Sequence, residues 1–106
     1  MKKVFNIQDD SDWIDAQGYP EGTKLKVLFD EGGVKTFLLK TPAGFNMAAH
    51  SHTHFEQHLV LQGEHTMNGQ IYKQGTYRCY SPDEVIESIE TKEGALILVM
   101  YHPDKT

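Results

Sequence analysis

The sequence has one cysteine, no long apolar run and no cluster of basic residues, and each shortage excludes a class of protein. Its single cysteine, Cys79, cannot form an intramolecular disulfide. This is typical of a reducing compartment, so we expect a cytoplasmic protein with Cys79 as a small buried residue. The longest apolar run, residues 95–101, is far shorter than the roughly 20 residues of a membrane-spanning helix. Polar residues follow Phe5 at once, so we expect no signal peptide and no membrane partner.

Acidic residues outnumber basic ones, which argues against nucleic acid as a partner. The chain has 10 Lys and Arg residues against 15 Asp and Glu residues, and its formal net charge is −5. Binding of a phosphate backbone needs clustered Lys and Arg side chains. The length of 106 residues suits one domain with a single modest core, so we expect one domain over residues 1–106.

Short apolar runs alternate with turn residues, and helical periodicity is almost absent. Asn68-Gly69 is a strong hairpin signal, and the run 55–61 reads as a strand that ends at Gln62-Gly63. Near the start of the chain we expect a short strand at 4–7 and a short helix at 11–16. Many short strands with turns every eight to twelve residues or so predict an all-β sandwich or barrel.

The histidines are concentrated in one segment. Four of the six lie between His50 and His58, and a glutamate lies among them. Residues two apart on an extended chain point to the same side. One face would then carry five potential ligands: His50, His52, His54, Glu56 and His58. Imidazole and carboxylate groups bind divalent transition metals. A histidine-rich tract can also be a solvated loop, but this one runs directly into an apolar strand.

The spacing of these residues resembles the first motif of the cupin family. The motif reads Gly44, five residues, His50-x-His52, three residues, Glu56, six residues and Gly63, without a gap. The resemblance extends over about residues 19–101. It is strongest to small single-domain cupins such as the acetylacetone-cleaving dioxygenases and the zinc-binding cupin domain of bacterial anti-sigma factors. It implies a double-stranded β-helix (jelly-roll) barrel with a metal at its mouth, commonly as a homodimer.

The second cupin motif, which usually supplies a histidine ligand, is degraded in this sequence. Counting from Pro82, or back from Gly94, places Glu87 at the position of that histidine. Counting forward from Gly75 without a gap places Ile86 there, which cannot bind a metal. The fourth ligand is therefore either a carboxylate or absent, and Glu87 can also be read as part of a solvated acidic edge.

The resemblance predicts a divalent transition metal, such as Zn, Fe, Mn or Ni, bound by His50, His52 and Glu56, with Glu87 as the fourth ligand. We expect His58 to act as an acid or base in catalysis, to replace the missing ligand, or to orient another ligand.

The other histidines have weaker claims to the metal. In an extended chain His54 would point to the same side as the predicted ligands, but we expect it at the surface or beside a ligand, because the chain of cupins often bends at this point. We expect His65 and His102 not to bind the metal.

The cupin resemblance, together with this metal chemistry, implies three possible functions. The first is a metal-dependent dioxygenase or lyase that acts on a small oxygenated molecule such as a β-diketone or an enol. The second is a non-catalytic sensor domain in which a metal or small ligand controls a partner. The third is an isomerase or epimerase of sugar-like substrates. The fold alone does not decide among them, because function depends on the site.

Overall fold

A computed structural model describes residues 3–103, which form nine antiparallel strands and no helix. The strands are β1 (Ile14–Asp15), β2 (Lys24–Glu31), β3 (Val34–Thr41), β4 (Phe45–Met47), β5 (Phe55–Met67), β6 (Gln70–Lys73), β7 (Tyr77–Tyr80), β8 (Ile89–Thr91) and β9 (Ala95–His102). The prediction of an all-β fold is confirmed. The described residues contain no helix that could span a membrane.

Strand β5 is the organising element of the sheet. The strand order is β1-β2-β3-β9-β5-β8-β4, and β6 and β7 also pair with β5. β5 therefore pairs with four strands along its length, namely β6, β7, β8 and β9. Because one long strand belongs to both halves of the sheet, the sheet curls into a jelly-roll barrel of the double-stranded β-helix type. This agrees with the predicted cupin barrel.

A bulge in β5 changes which side chains point into the barrel. Glu56, His58 and Val60 are buried before it, and His65 and Met67 are buried after it. The register with β9 shifts between Val60 and Gln62. One extra residue in a strand moves every later side chain to the opposite face. The side chains that point into the barrel therefore have even residue numbers before the bulge and odd residue numbers after it.

The prediction that a strand ends at Gln62-Gly63 is wrong, because β5 runs through Gly63 to Met67 and is 13 residues long in total. Gly63 has a φ of +74°, and a Cβ built there would lie 2.4 Å from the carbonyl oxygen of Gly94. Only glycine adopts this conformation and tolerates this approach without strain. The glycine of the sequence motif thus allows close packing of two chain segments inside the sheet.

Two tight hairpins agree with the sequence. Asn68 and Gly69 connect β5 to β6 and both have positive φ. Gly32 and Gly33 connect β2 to β3 and also both have positive φ. Positive φ at both central residues is the requirement of the two-residue turn that matches strand twist.

Three local predictions are wrong. Residues 4–7 are not in a strand. The expected helix at 11–16 is absent: Asp12 has a positive φ, and Ile14–Asp15 pair with β2 instead. Cys79 is exposed and not buried. β7 pairs with β5 on one side, and its alternation turns Arg78 inward and Cys79 outward.

The core has two parts, with the polar site between them. One part consists of Phe37, Leu39, Val60, Ala95, Ile97 and Val99. The other consists of Phe45, Met67, Ile86 and Ile89. A small cavity is lined by residues of both parts together with His50, Glu56, His58, His65 and Arg78. The fold thus surrounds a group of polar side chains with apolar walls.

Candidate metal centre

Strand pairing fixes both ends of the histidine-rich segment. His50 forms an isolated antiparallel bridge with Ile86. At the other end Glu56 lies in β5 between Tyr80 of β7 and Tyr101 of β9. Because both ends are fixed by backbone pairing, the position of the short non-strand segment between them is constrained.

The structure brings three of the predicted ligands together. One ligand atom from each of His50, His52 and Glu56 lies within 4.8 Å of the other two. The Glu56 side chain is buried, and its Oε1 atom lies 3.5 Å from Nε2 of His52 and 3.5 Å from Nε2 of His54. The spacing of His-x-His and Glu in the sequence therefore corresponds to a real cluster in space.

An unpaired oxygen at the centre of this cluster fits a cation. Within residues 3–103, the Oε1 atom of Glu56 is buried and has no hydrogen-bond partner, and the same is true of Nε2 of His54. A buried polar atom without a partner costs about 1–3 kcal/mol, and more when it carries charge. A divalent metal would satisfy these atoms, because carboxylate oxygen and imidazole nitrogen are its usual ligands.

The second oxygen of Glu56 belongs to a hydrogen-bond chain inside the barrel. Oε2 lies 2.5 Å from Nε2 of His58, and Nδ1 of His58 lies 3.0 Å from Nη2 of Arg78. A guanidinium group can only donate hydrogen bonds, so Nδ1 of His58 accepts and Nε2 carries the proton that is donated to Glu56. His58 therefore orients Glu56 and directs its other oxygen toward the histidines.

The series of hydrogen bonds continues on the far side of Arg78. Nη2 of Arg78 lies 3.4 Å from Nδ1 of His65, and Nε2 of His65 lies 3.3 Å from Oγ1 of Thr41. Thr41 donates to the carbonyl oxygen of Ala95. By the same reasoning, Nδ1 of His65 accepts and Nε2 donates. Every ring nitrogen of His58 and His65 thus has a partner.

The environment lowers the pKa values of Glu56, His58 and His65, which favours the charged form of the carboxyl group and the neutral form of the imidazoles. Burial alone would raise the pKa of Glu56, but the hydrogen bond from His58 and the nearby imidazoles outweigh it, so this pKa lies below its usual value. Burial lowers the pKa of His58, with the charge of Arg78 acting in the same direction. Burial and Arg78 together lower the pKa of His65 to about 3. The result is an ionised carboxylate on Glu56, which is the state that a metal ligand requires, beside neutral imidazoles at His58 and His65.

The structure does not bring Glu87 to this group. Glu87 is exposed, whereas its neighbour Ile86 is almost fully buried and pairs with His50. Strand-like alternation explains the difference, since adjacent residues point to opposite sides. The role of Glu87 as fourth ligand stays a prediction. His65 and His102, predicted not to bind the metal, lie outside the group of three, and His102 contacts Gln57.

The enclosed space beside the cluster is small. Its volume is about 20 Å³, and its apolar walls include Phe45, Met47 and Ile89. A cavity of this size holds roughly one water molecule. An organic molecule that reaches the cluster would have to lie mainly at the barrel mouth.

Comparison with known families assigns the chain. A family model described as the ChrR cupin-like domain matches residues 1–104. The chain belongs to this cupin family. No curated protein matches it.

Solved cupin structures share the fold of this ChrR cupin-like domain. A chain in the crystal structure of Rhodobacter sphaeroides SigE in complex with the anti-sigma ChrR matches with a TM-score of 0.73 and 22% identity, over 89% of this cupin and 51% of that chain. This cupin therefore spans about half the length of that relative. An RmlC-like cupin from Shewanella frigidimarina matches with a TM-score of 0.78 and 18% identity, over 98% and 94% of the two chains.

An acetylacetone dioxygenase from Acinetobacter johnsonii matches with a TM-score of 0.77 and 14% identity, over 95% of this cupin and 74% of that chain. At these identities the likeness shows the barrel and not the activity.

Sequence reasoning missed two residues of the interior of this cupin. Arg78 was not considered, and His65 was assigned no role beyond not binding metal. Strict alternation along the strand would point His65 outward. The bulge between Val60 and Gln62 reverses the alternation, so His65 points into the barrel. An arginine within an otherwise apolar strand segment, Tyr77–Tyr80, was the available signal for Arg78.

Proposed function

We propose that this cupin binds one divalent transition metal through His50, His52 and Glu56, with Zn, Fe, Mn and Ni as the candidates. The unpaired Oε1 atom of Glu56, 3.5 Å from the Nε2 atoms of two histidines, is the observation that carries the proposal. A bound metal would supply a Lewis acid at the mouth of the barrel. His58 and Arg78 hold the carboxylate of Glu56 in the orientation that the metal needs.

The size of the interior favours a binding or sensor function for the metal site. The cavity of about 20 Å³ inside the barrel suits an ion with a water-sized ligand and leaves no room there for an organic substrate. The ChrR cupin-like family supports the same function, since one structural relative comes from the crystal structure of SigE in complex with the anti-sigma ChrR. In this proposal, metal or small-ligand binding changes the contacts of the cupin with a partner protein.

A metal-dependent dioxygenase or lyase is the second candidate. The support is a cluster of three protein ligands, which leaves open positions on a metal, together with the fold shared with an acetylacetone dioxygenase. The substrate class is a small enolisable dicarbonyl that reaches the metal from the mouth. The isomerase alternative, with His58 or a glutamate as base, has less support at His58, because both ring nitrogens of His58 are hydrogen-bonded inside the barrel.

Elemental analysis of protein purified without added metal tests the first step. We expect near-stoichiometric metal in the native chain and a large loss in His50→Ala. Equal metal content in the two proteins would remove the proposal.

Oxygen uptake then separates the two uses of the metal. The protein is loaded with Fe(II) and mixed with a panel of enolisable dicarbonyls. Turnover supports the dioxygenase. Tight metal binding without turnover, for Fe, Mn, Zn and Ni alike, supports the sensor. A homodimeric state and a cytoplasmic location stay predictions that accompany either function.

A further inference from the structure

We propose that His54 supplies a fourth protein ligand to the metal centre. The family's usual fourth position holds Ile86 or Glu87, depending on the count, and neither side chain is in the group of three ligands. This inference rests on the proposed metal binding and concerns which residues complete it.

The distances around Glu56 match the separation between two ligand atoms that bind the same metal ion. A metal binds imidazole nitrogen at about 2.0–2.1 Å and carboxylate oxygen at about 2.0–2.2 Å. Two ligand atoms at these bond lengths on a tetrahedral ion are therefore roughly 3.4 Å apart. Nε2 of His54 lies 3.5 Å from Oε1 of Glu56, the same distance as Nε2 of His52. By this measure His54 is placed as well as His52.

The hydrogen-bond status of His54 points to the same conclusion. In the part of the chain that the structure describes, four buried side-chain N or O atoms lack a partner: Trp13 Nε1, His54 Nε2, Glu56 Oε1 and Arg78 Nε. Two of the four face each other across 3.5 Å in the candidate metal site. Both atoms are buried and neither has a hydrogen-bond partner, although they lie this close together. A cation in that space satisfies both atoms at once.

Aromatic packing holds the His54 ring near this space. Its ring centroid lies 4.2 Å from that of Tyr101 and 4.8 Å from that of His52. Tyr101 is directly opposite Glu56 in the β5–β9 ladder. The same pairing that places the carboxylate therefore places the surface against which His54 packs.

His54 is not a member of the group whose ligand atoms all lie within 4.8 Å of one another. Residues 53 and 54 form a bend outside the strands, and the His54 side chain is one-quarter exposed. A side chain in this setting changes rotamer without disturbing a ladder. Binding of the ion would draw the imidazole the remaining distance toward His50.

The other candidates for a fourth ligand are less well placed. Glu87 is exposed on the opposite side of its segment from Ile86. His58 donates from Nε2 to Glu56 and accepts at Nδ1 from Arg78, so neither nitrogen is free. Three imidazoles and one carboxylate would suit Zn, Fe or Ni better than Mn, because imidazole is a softer ligand than carboxylate.

Zinc competition titrations of the full chain against a chromogenic chelator test the inference. The variants are His54→Ala, His54→Gln, Glu87→Ala and His102→Ala, where His102→Ala removes a histidine outside the cluster. We expect both His54 variants to weaken zinc binding by at least roughly tenfold, a size known even for residues that only support metal ligands. We expect Glu87→Ala and His102→Ala to stay within about threefold of the native protein, well below that range. Circular dichroism checks that each variant is folded.

A spectroscopic measurement separates a ligand from a merely structural residue. The visible spectrum of the Co(II)-loaded protein reports the coordination shell, so it should change in both His54 variants and not in His102→Ala. Millimolar imidazole should restore the native spectrum to His54→Gly.

The outcomes distinguish this inference from the function on which it rests. Native affinity and a native Co(II) spectrum in the His54 variants overturn the role of His54 and leave metal binding intact. A loss of affinity in Glu87→Ala without one in His54→Ala also overturns it, in favour of Glu87. Absence of zinc binding by the native chain overturns both proposals.

Discussion

The backbones of His50 and Ile86 are paired directly, with the N–H of His50 donating to the oxygen of Ile86 at 2.9 Å and the N–H of Ile86 donating back at 2.7 Å. In such an antiparallel pair the two side chains lie on the same face with their Cβ atoms about 5 Å apart. An aliphatic side chain therefore lies beside the first candidate ligand, at one of the two positions where the family motif would supply a histidine.

Restoring a histidine at this position should strengthen metal binding. We expect Ile86→His to raise zinc affinity at least roughly tenfold, because it adds an imidazole on the face of His50. The metal-free variant should lose about 2–4 kcal/mol of unfolding free energy, since a polar imidazole replaces the buried aliphatic side chain of Ile86 in the core. Zinc titration and urea unfolding measure the two effects. Val85→His, at the exposed neighbouring position, is the control, and equal affinity in the two variants would contradict the prediction.

Arg78 and Glu56 should together fix the tautomer of His58, and Arg78 should also keep its ring neutral. In the metal-free protein we expect the proton of His58 on Nε2, since Arg78 donates to Nδ1. In Arg78→Met the Glu56 carboxylate still accepts from Nε2, so we expect this proton to stay and the pKa of His58 to rise, because the charge of Arg78 lowers it, together with a loss of roughly 1–3 kcal/mol of stability. Long-range ¹⁵N–¹H correlation spectra of the imidazoles distinguish the states. Lys73→Met, which removes an exposed cation of β6, should leave His58 unchanged, and a proton on Nδ1 in the native spectrum would contradict the assignment.

His65 should make the protein less stable in mild acid. Its pKa is about 3 in the folded chain, against a usual value of 6.5. As the pH falls below 6.5 the unfolded chain takes up a proton that the folded chain does not. The unfolding free energy should therefore fall by about 1.4 kcal/mol per pH unit from this residue until the pH approaches 3. Between pH 6.5 and 5 its contribution is roughly 2 kcal/mol.

Urea unfolding of native protein, His65→Gln and His102→Gln at several pH values measures this effect. The pH slope should be shallower in His65→Gln and unchanged in His102→Gln. Equal slopes in all three proteins would show that His65 takes up a proton as readily in the folded chain as in the unfolded chain, and would contradict the prediction.

Gly63 should be far less replaceable than other glycines with positive φ. A Cβ at Gly63 would lie 2.4 Å from the Gly94 oxygen, whereas a Cβ at Gly18 would meet no atom within 4 Å. Both substitutions cost about 1–2 kcal/mol for the left-handed backbone. Gly63→Ala should cost at least roughly 3 kcal/mol in total because the clash adds to this strain. Denaturant midpoints give the comparison, and similar losses at the two positions would show that the sheet yields at Gly63.

The strand pattern and the first motif could be predicted because both are local. The alternation of apolar runs and turn residues predicts an all-β chain, and the Asn68-Gly69 hairpin follows from the conformational freedom of those two residues. His50, His52 and Glu56 are six residues apart at most, so the short spacing keeps them near one another even though residues 51–54 are not in a strand. The structure brings the three together within 4.8 Å.

The sequence by itself determined the type of fold and the three side chains at its mouth. Only the tertiary structure decided that Ile86 and not Glu87 lies beside His50, that the bulge in β5 turns His65 inward, and that Arg78 joins His58 to His65. These relationships depend on the register between strands far apart in the chain. A shift of one residue in that register exchanges inside for outside, and no local pattern reports it.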